Sequence, residues 1–262
     1  MSDPPPPELP EHVLENRRHW DAGAADWVAS GERAWAATEP TWGIWGVPES
    51  ELQMLPADMT GMAAVELGCG TGYGSAWMAR RGATVTGVDN SEQQLATARR
   101  LAAEHGVDLK LWHGNAETTP YADASFDFAL SEYGASIWCD PYAWVPEAHR
   151  LLKPGGRLVF LGHHPLASMC APEDGGPLVR ELARSYFDLY RLDWSKVEVD
   201  PGGIEFSLPL EKWFELFRRV GFLVEDLREP RSPLGGEELR FSVTTSWGRD
   251  FPAEIVFKLR KL

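Results

Sequence analysis

The sequence lacks the features that mark disulfide-stabilised, zinc-binding and membrane-spanning proteins. Its three cysteines, Cys69, Cys139 and Cys170, lie far apart and form no C-x-x-C pair, which suggests neither a disulfide framework nor a thiolate zinc site. No uninterrupted apolar run approaches the ~18 residues that a membrane-spanning helix requires. Metal-ligand spacings such as H-x-x-x-H and carboxylate clusters are also missing. We therefore expect no membrane association and no metal.

Basic residues are scarce as well, with 25 Lys and Arg against 39 Asp and Glu and a formal net charge of -14. Proteins that bind nucleic acid use lysine and arginine to displace counterions, so nucleic acid is a poor partner for this chain. The acidity favours solubility and tolerates a cationic ligand. The first residues, "MSDPPPPELPE", are proline-rich and acidic, unlike a secretory signal. We expect a cytoplasmic protein with a disordered tail over residues 1–11.

Short apolar segments alternate with helical patterns along most of the chain. The predicted strands are 63–67, 83–89, 108–114, 126–134, 157–163, 222–229 and 253–261, and the predicted helices are 74–82, 91–106, 140–156 and 210–221. Ser91 and Gln94 have the spacing of a capping box, and Gly106 ends the same helix. Strands separated by helices imply right-handed crossovers and a parallel sheet. The predicted fold is a doubly wound (Rossmann-like) α/β domain with a mostly parallel seven-stranded sheet.

Two segments interrupt this alternation. Residues 12–60 contain several tryptophans in helical and turn-like sequence, and we interpret them as an amino-terminal cap. An insertion at about 165–205 follows the fifth strand, and we expect it to act as a lid within a domain that spans residues 61–262.

The stretch "VELGCGTGYGS", Val65 to Ser75, places a glycine at every second position directly after the first strand. Glycine is used where the backbone turns sharply or approaches a ligand closely, and the first strand-to-helix loop is the usual ligand site of such sheets. The dinucleotide pattern G-x-G-x-x-G fails, since the sixth position is Tyr73 from Gly68 and Ser75 from Gly70. A Walker A loop fails too, because no Gly-Lys-Ser/Thr follows.

The acids near this loop favour a nucleoside that carries positive charge and no phosphate. Asp89, at the end of the second strand, is placed to accept hydrogen bonds from both ribose hydroxyls. Its alternative role is to cap the helix that begins near Ser91. Glu66 lies beside the loop and would suit a cation. S-adenosylmethionine has a sulfonium, an ammonium and no phosphate, so it fits these requirements.

Four stretches, "VELGCGTGYGS", "GVDNS", "GNAETTPYADASFDFALSEYGA" and "LLKPGGRLVFLG", occur in order over about residues 60–163. Together they resemble the successive motifs of class I S-adenosylmethionine-dependent methyltransferases of the bacterial small-molecule type. The flanking "HWDAGAADW" resembles the amino-terminal helix of this group, whose aromatic residue often closes over the donor; here that residue is Trp20.

The resemblance implies roles for residues at the matching positions. Gly68, Gly70 and Gly72 would approach the methionine and ribose, Asp89 would hold the ribose, and Asn90 and Ser91 would border the adenine. Asn115, where the family usually has aspartate, would accept from the adenine amino group, with Ala116 and Glu117 beside it. Glu132 and Tyr133 would face the methyl group and the acceptor; their alternative roles are an ion pair and ordinary packing. The product would be S-adenosylhomocysteine.

Methyl transfer from a sulfonium is an in-line displacement that depends mainly on alignment, and a base matters only if the acceptor must lose a proton. His163 and His164 end the fifth strand and are the first candidates for such a base, although alternating side-chain directions make it improbable that both point inward. His12, His105, His113 and His149 look peripheral. The alternative for His163 and His164 is a structural or solvent-facing role.

The acceptor class is inferred from the aromatic content. Twelve tryptophans, several of them in the predicted cap, suit a flat or cationic acceptor, although core packing also accounts for them. We expect methyl transfer to O, N or C of a small aromatic or amine-bearing metabolite. A protein methyltransferase and a non-catalytic donor-binding protein of the same fold remain alternatives. The sequence does not define the oligomeric state.

Overall fold

A computed structural model describes residues 9–262. The strands are β1 (Thr41–Trp42), β2 (Val47–Pro48), β3 (Ala63–Leu67), β4 (Thr84–Asp89), β5 (Lys110–His113), β6 (Phe126–Glu132), β7 (Leu152–His163), β8 (Arg191–Asp193), β9 (Ile204–Phe206), β10 (Phe222–Arg228), β11 (Leu239–Arg240), β12 (Val243–Thr244) and β13 (Glu254–Lys261). The helices are α1 (Glu11–Ala36), α2 (Glu49–Leu52), α3 (Tyr73–Arg80), α4 (Glu92–His105), α5 (Ala135–Trp138), α6 (Pro141–Leu151), α7 (Pro165–Cys170), α8 (Leu210–Val220) and α9 (Thr245–Asp250).

Seven of the strands form one sheet in the order β10-β13-β7-β6-β3-β4-β5. The pairs β3/β4, β3/β6, β4/β5 and β6/β7 are parallel, whereas β13 runs antiparallel to both β7 and β10. The predicted doubly wound, mostly parallel seven-stranded sheet is therefore confirmed. Its strand order reverses between β3 and β6, which is where such sheets form their ligand crevice.

Local signals account for the ends of the helices. Ser91 Oγ accepts a hydrogen bond from the Gln94 amide at 3.2 Å, and Gly106 adopts a left-handed conformation with φ 64° just after α4. Asp140 accepts from the Tyr142 amide at 2.9 Å at the start of α6. These caps satisfy backbone groups that a helix leaves unpaired at its ends.

The core lies on both faces of the sheet, and successive residues of a strand alternate between them. On β7, Leu158 and Phe160 pack on the face that carries α6 and α8, and Val159 and Leu161 pack on the face beneath the β1–β2 hairpin. This alternation explains why the strands read as nearly continuous apolar runs.

The sequence pattern of helix α8 predicts one apolar face formed by Leu210, Trp213, Phe214 and Phe217, and the structure differs from this prediction at Phe214. The Phe214 side chain is 44% exposed, whereas Leu216 is 1% exposed. The buried face is therefore rotated toward Leu216 and Phe217, the latter of which packs against Phe160 and Phe257.

Residues 1–8 of the predicted tail, which spans residues 1–11, lie outside the described residues. Glu11 belongs to α1, so the helix begins one residue inside the predicted tail. Across residues 9–262, no helix combines the length and the apolar character needed to cross a bilayer. The domain boundaries at 12, 61, 165 and 205 remain predictions.

Helix α1 and the segment between β7 and α8 are joined through one buried side chain. Asn16 Nδ2 donates to the carbonyls of Trp138 and Ile204 at 2.9 Å each, and Asn16 Oδ1 accepts from the Ile204 amide at 2.7 Å. This amide connects the amino-terminal helix to α5 and β9, both of which border the carboxyl edge of the sheet.

Candidate active site

The site is built at the edge of the sheet where β3, β4, β6 and β7 end. Because β13 runs antiparallel to β7, its first residue lies at the same edge, and Glu254 pairs in register with His163. We call Gly68, Gly70, Asp89, Asn115 and Glu117 the donor edge. We call Tyr133, His163, Glu205 and Glu254 the acceptor edge.

In the glycine loop of the donor edge, one glycine packs against another backbone segment and one faces open space. Gly68, Gly70 and Gly72 adopt φ values of 80°, 50° and 78°, which residues with side chains rarely adopt. A Cβ on Gly68 would lie 2.5 Å from the Cα of Gly134, so the two backbones touch there. No atom lies within 4 Å of a Cβ built on Gly70. The loop therefore leaves space for a ligand beside Gly70.

Asp89 ties this loop to the end of β4. Its Oδ2 accepts from the Gly70 amide at 2.7 Å and its Oδ1 accepts from the Ser91 amide at 2.8 Å. Burial raises the pKa of Asp89, and the two amide bonds oppose that shift. A carboxylate oxygen can accept a second hydrogen bond, so each oxygen retains one for a ligand. This geometry fits the two hydroxyls of a ribose.

The residues predicted to border the adenine are held by helix α1. Asn90 Oδ1 accepts from Arg17 at 2.8 Å, and Asn90 Nδ2 donates to the Val13 carbonyl at 2.7 Å. Ser91 is fully buried and its hydroxyl donates to Asp21 at 2.6 Å while it caps α4. The structure therefore gives the Ser91 side chain a structural role, and the expectation that Ser91 borders the adenine stays a prediction.

A second group predicted for the adenine lies after β5. Asn115 Oδ1 accepts from the Glu117 amide at 3.0 Å, and both side chains are buried, as is Ala116. Glu117 Oε1 accepts from the Asp140 amide at 2.7 Å and lies 2.6 Å from His12 Nε2. His12 was expected to be peripheral, and this contact corrects that interpretation. Asn115 Oδ1 keeps one acceptor position for an amino group.

Glu66 lies beneath the loop, with 2% of the residue exposed. Its Oε2 accepts from Ser75 Oγ at 2.5 Å, and a Cβ on Gly74 would come within 2.3 Å of its Oε1. Burial raises the pKa of Glu66 to about 8, although the bond from Ser75 opposes the shift. Burial therefore favours the neutral form of Glu66. The expectation that Glu66 complements a cation stays a prediction.

Trp20, predicted to cover the donor, belongs to a group of aromatic rings between α1 and α5. Its ring meets Trp138 edge-on at 5.2 Å and Trp27 at 5.5 Å between centroids. Trp138 ends α5, whose first turn follows the contact between Gly134 and Gly68. Trp20 therefore lies near the donor edge, and its contact with the donor stays a prediction.

Tyr133 follows β6 in a strained conformation, with φ 48° in a residue that carries a side chain. Its hydroxyl donates to Glu254 Oε1 at 2.9 Å, and its ring meets the His163 ring edge-on at 5.1 Å. Such strain persists only where the surroundings enforce it, and it is common at functional sites. The structure thus brings together Tyr133 and His163, two of the four residues predicted to act near the methyl group.

His163 faces an acid from the segment after β7, since its Nδ1 lies 3.4 Å from Glu205 Oε2. Burial lowers the pKa of His163, but Glu205 and Glu254 more than offset this, so the pKa lies above its usual value of 6.5. One third of its side chain is exposed. If Nδ1 carries the proton toward Glu205, Nε2 is left to accept a proton.

His164 makes its contacts away from the acceptor edge, and its role as a base stays a prediction. Its Nδ1 accepts from the Leu166 amide at 3.0 Å at the start of α7, and its Nε2 lies 2.9 Å from Glu229. Both ring nitrogens are therefore engaged. Successive side chains of an extended segment point to opposite sides, which explains why His163 reaches the site and His164 does not.

Glu132, predicted to face the methyl group, is joined to the β1–β2 hairpin. Its Oε1 accepts from the Gly43 amide at 2.9 Å and its Oε2 accepts from Tyr73. Burial raises the pKa of Glu132, and these two bonds oppose the shift. Its observed contacts are structural, and a contact with the methyl group stays a prediction.

Sequence reasoning missed residues that come from distant parts of the chain. These are Asn16, Gly43, Tyr73, Glu205 and Glu254. Only Glu254 carried a usable signal, because it is an acid at the start of an otherwise apolar strand. Among residues 9–262, no group of three or more His, Cys, Asp or Glu is arranged to hold a metal ion. The expected independence from metal stays a prediction.

Comparison with known proteins agrees with this geometry. A family model described as a methyltransferase domain matches residues 65–160. The ubiquinone biosynthesis O-methyltransferase of Ruegeria pomeroyi is 31% identical over 163 residues, a match that spans 62% of this chain and 60% of that protein. The protein of the same name from Pseudomonas entomophila is 30% identical over 187 residues, which cover 65% of this chain and 80% of that protein. The chain belongs to the class I S-adenosylmethionine-dependent methyltransferases.

A solved structure shares the fold of this methyltransferase. The S-adenosylmethionine-dependent methyltransferase from Mesorhizobium loti superimposes with a TM-score of 0.64 at 24% identity, covering 84% of this chain and all of that one. The chain therefore has the same fold as that S-adenosylmethionine-dependent methyltransferase.

Proposed function

We propose that this methyltransferase binds S-adenosylmethionine at the donor edge and transfers its methyl group to a small aromatic or amine-bearing metabolite at the acceptor edge. The observation that carries the donor site is the geometry of Asp89, which holds the Gly70 amide at 2.7 Å and keeps acceptor capacity beside an open glycine. A phosphate is not accommodated by this carboxylate, since two anions would repel each other.

When bound, S-adenosylmethionine supplies a methyl group on a sulfonium, which is a good leaving group. The chain's own contribution is to hold the reactants in line and exclude water, and such positioning can lower a barrier by ~7–11 kcal/mol. The buried residues of both edges support this role, because Asn115 and Glu117 at the donor edge and Glu254 at the acceptor edge are all buried.

His163 is the residue proposed to accept a proton from the acceptor. Glu205 lies at its Nδ1 and would keep the proton on that nitrogen, which leaves Nε2 as the base. Tyr133 contacts the His163 ring and would fix its orientation. A base is needed for a hydroxyl or ammonium acceptor, which must lose a proton.

The named relatives support oxygen as the atom methylated. Two are O-methyltransferases of ubiquinone biosynthesis, and another relative is a malonyl-[acyl-carrier protein] O-methyltransferase from Pectobacterium atrosepticum. We propose oxygen as the first choice for this chain, with nitrogen and carbon as alternatives. Transfer to a protein, and donor binding without catalysis, are the competing functions.

The test is incubation with labelled S-adenosylmethionine and fractionated metabolites, followed by mass analysis of the products. Formation of S-adenosylhomocysteine with a metabolite fraction is expected. Labelling of protein alone would favour a protein methyltransferase, and no product with any fraction would favour a non-catalytic protein.

Substitution of the two histidines sharpens this test. His163→Ala should lower turnover of the identified acceptor about 10²-fold without weakening donor binding, because it removes the proposed base. Turnover by the wild type should rise with pH through a pKa above 6.5. His164→Ala is the matched control, since its ring nitrogens are engaged within the fold and turnover should change little. Equal turnover by both variants and the wild type would exclude histidine from the chemistry.

A further inference from the structure

The acceptor edge contains a buried carboxyl group with an unused oxygen. Glu254 is 0% exposed. Its Oε1 accepts from the Ile44 amide at 2.8 Å and from the Tyr133 hydroxyl at 2.9 Å. Its Oε2, fully enclosed, accepts no hydrogen bond from any residue in 9–262. Most buried polar atoms have partners, and one that does not requires an explanation.

Packing forces Glu254 into this position. A Cβ on Gly43 would lie 2.2 Å from Glu254 Oε1 and 2.7 Å from its Oε2, so the hairpin turn at Gly43 and Ile44 closes directly over the carboxyl group. Gly43 and Ile44 donate their amides to Glu132 and Glu254, respectively. The hairpin thus fixes two buried acids at the edge where β6 ends and β13 begins.

The charge around Glu254 is poorly balanced. The basic side chain that faces it is His163, its register partner on β7, and His163 already pairs with Glu205. Burial raises the pKa of Glu254 to about 7, and Glu132 adds to the shift while Ile44, Tyr133 and His163 oppose it. Protonation of Oε2 would not give it a partner either, since the added O–H would need an acceptor. A cation or another strong donor is the group that this site lacks.

The donor's ribose anchor lies too far away to use this carboxyl group. In the sheet, β13 and β4 are separated by β7, β6 and β3. Four strand spacings of ~4.8 Å place Glu254 about 19 Å from Asp89 across the sheet. Tyr133 and His163, which contact or face Glu254, belong to the acceptor edge.

We propose that Glu254 recognises a protonated amine on the methyl acceptor and thereby selects amine-bearing substrates. The proposal rests on the proposed function, because it assumes that the acceptor binds beside Tyr133 and His163. Because the turn at Gly43 and Ile44 covers the carboxyl group, the proposal requires this turn to move aside when the acceptor binds. The ammonium would then donate to Oε2, and the adjacent aromatic ring of Tyr133 would contact the acceptor's apolar part. An aromatic acceptor with an amine side chain satisfies both contacts.

The experiment measures binding of two probes that differ only in the amine. Phenethylamine and 2-phenylethanol are titrated by calorimetry into the protein saturated with S-adenosylhomocysteine. The wild type should bind phenethylamine about tenfold or more tightly than 2-phenylethanol. Equal affinity for the two probes, or binding of neither, would overturn the proposal.

Variants assign the selectivity to Glu254. Glu254→Gln keeps an oxygen that can accept from Ile44 and Tyr133 but removes the charge, so it should lose the preference for the amine. Glu254→Asp keeps the charge and should retain part of the preference. Glu237→Gln, an exposed acid after β10, is the matched control and should behave as the wild type. A preference that persists in Glu254→Gln would also overturn the proposal.

The experiment distinguishes failure of this proposal from failure of the proposed function. If S-adenosylhomocysteine does not bind the wild type, the donor site is wrong. If it binds with equal affinity to the wild type and Glu254→Gln while neither discriminates between the probes, only the role of Glu254 is wrong. The wild-type comparison of the two probes decides the matter even if Glu254→Gln is unstable.

Discussion

The donor edge and the acceptor edge lie along one side of the same sheet but are assembled differently. At the donor edge, Asp89 contacts Gly70, 19 residues away, and Asn115 contacts Glu117, two residues away. At the acceptor edge, Tyr133 contacts Glu254 across 121 positions and Ile44 contacts Glu254 across 210. The contacts of Asp89 and Asn115 are therefore with nearby segments, although Glu117 of the donor edge also meets His12 across 105 positions. The acceptor edge depends on the complete fold.

The chemistry of the two edges differs in the same way. Asp89 accepts from two backbone amides, that of Gly70 in the glycine loop after β3 and that of Ser91 in its own turn, so its geometry depends little on which side chains surround it. Glu254 and Glu132 accept from side chains and from a separate hairpin. If the proposed function is right, distant substitutions would change specificity for the acceptor while the donor site is kept.

The largest effect should come from the glycine that closes the donor loop. Gly68→Ala would place a Cβ against the backbone of Gly134 at a φ of 80°, so the free energy of unfolding should fall by ~3 kcal/mol or more. Urea unfolding measures this loss. A variant as stable as the wild type would show that the two backbones do not touch in this way.

Gly70→Ala tests the open side of the same loop. No atom would meet its Cβ, so its cost should be limited to about 1–2 kcal/mol of backbone strain. The Cβ would, however, enter the space beside Asp89 and should weaken binding of S-adenosylhomocysteine about tenfold or more. Gly46→Ala, with φ 61° and equally open space in the hairpin, is the matched control for strain alone. If Gly70→Ala and Gly46→Ala both lost affinity for S-adenosylhomocysteine, the proposal that the donor occupies the space beside Gly70 would be contradicted.

A pH-dependent effect on stability is expected at Glu66, which lies between the two edges and is influenced by both Glu132 and Asp89. Its pKa rises from 4.5 to about 8 on folding, so the folded state binds the proton more tightly than the unfolded state. The wild type should therefore lose stability as the pH rises from about 4.5 to 8, and the loss should stop above that range.

Glu66→Gln removes this titration. Between pH 5 and pH 8, the free energy of unfolding of the variant should therefore rise relative to that of the wild type by on the order of 2–4 kcal/mol. Urea unfolding at both pH values measures the difference. Glu237→Gln serves as the control because its side chain is exposed. If the free energies of unfolding of Glu66→Gln and the wild type change equally between the two pH values, Glu66 is not held in its neutral form.

The fold could be predicted from the sequence, and the residues of the donor edge could be named from it, because both rest on local signals. The capping of α4 by Ser91, the glycine loop and the acid at the end of β4 are each readable within a few residues. The charge state of Glu66 was not readable, because it depends on burial beneath the loop.

The acceptor edge was predicted only in part. Tyr133 and His163 could be named because they end predicted strands. The sequence indicated only that His163 and His164 point to opposite sides of the strand, and it did not indicate which of the two faces the site. Glu205, Glu254 and Asn16 come from the insertion, the last strand and the first helix, respectively, and only the folded chain brings them to the sheet edge. Long-range contacts of this kind leave no local pattern.

The most direct test of the central claim is calorimetric titration of S-adenosylhomocysteine into the wild type, Asp89→Ala and Asp108→Ala. Asp108 is an exposed acid before β5 and serves as the control. We expect Asp89→Ala to weaken binding more than about tenfold, because it removes the ribose acceptor and the bond that shapes the loop, while Asp108→Ala binds as the wild type does. Near-native affinity in Asp89→Ala would contradict a donor site at the ends of β3 and β4.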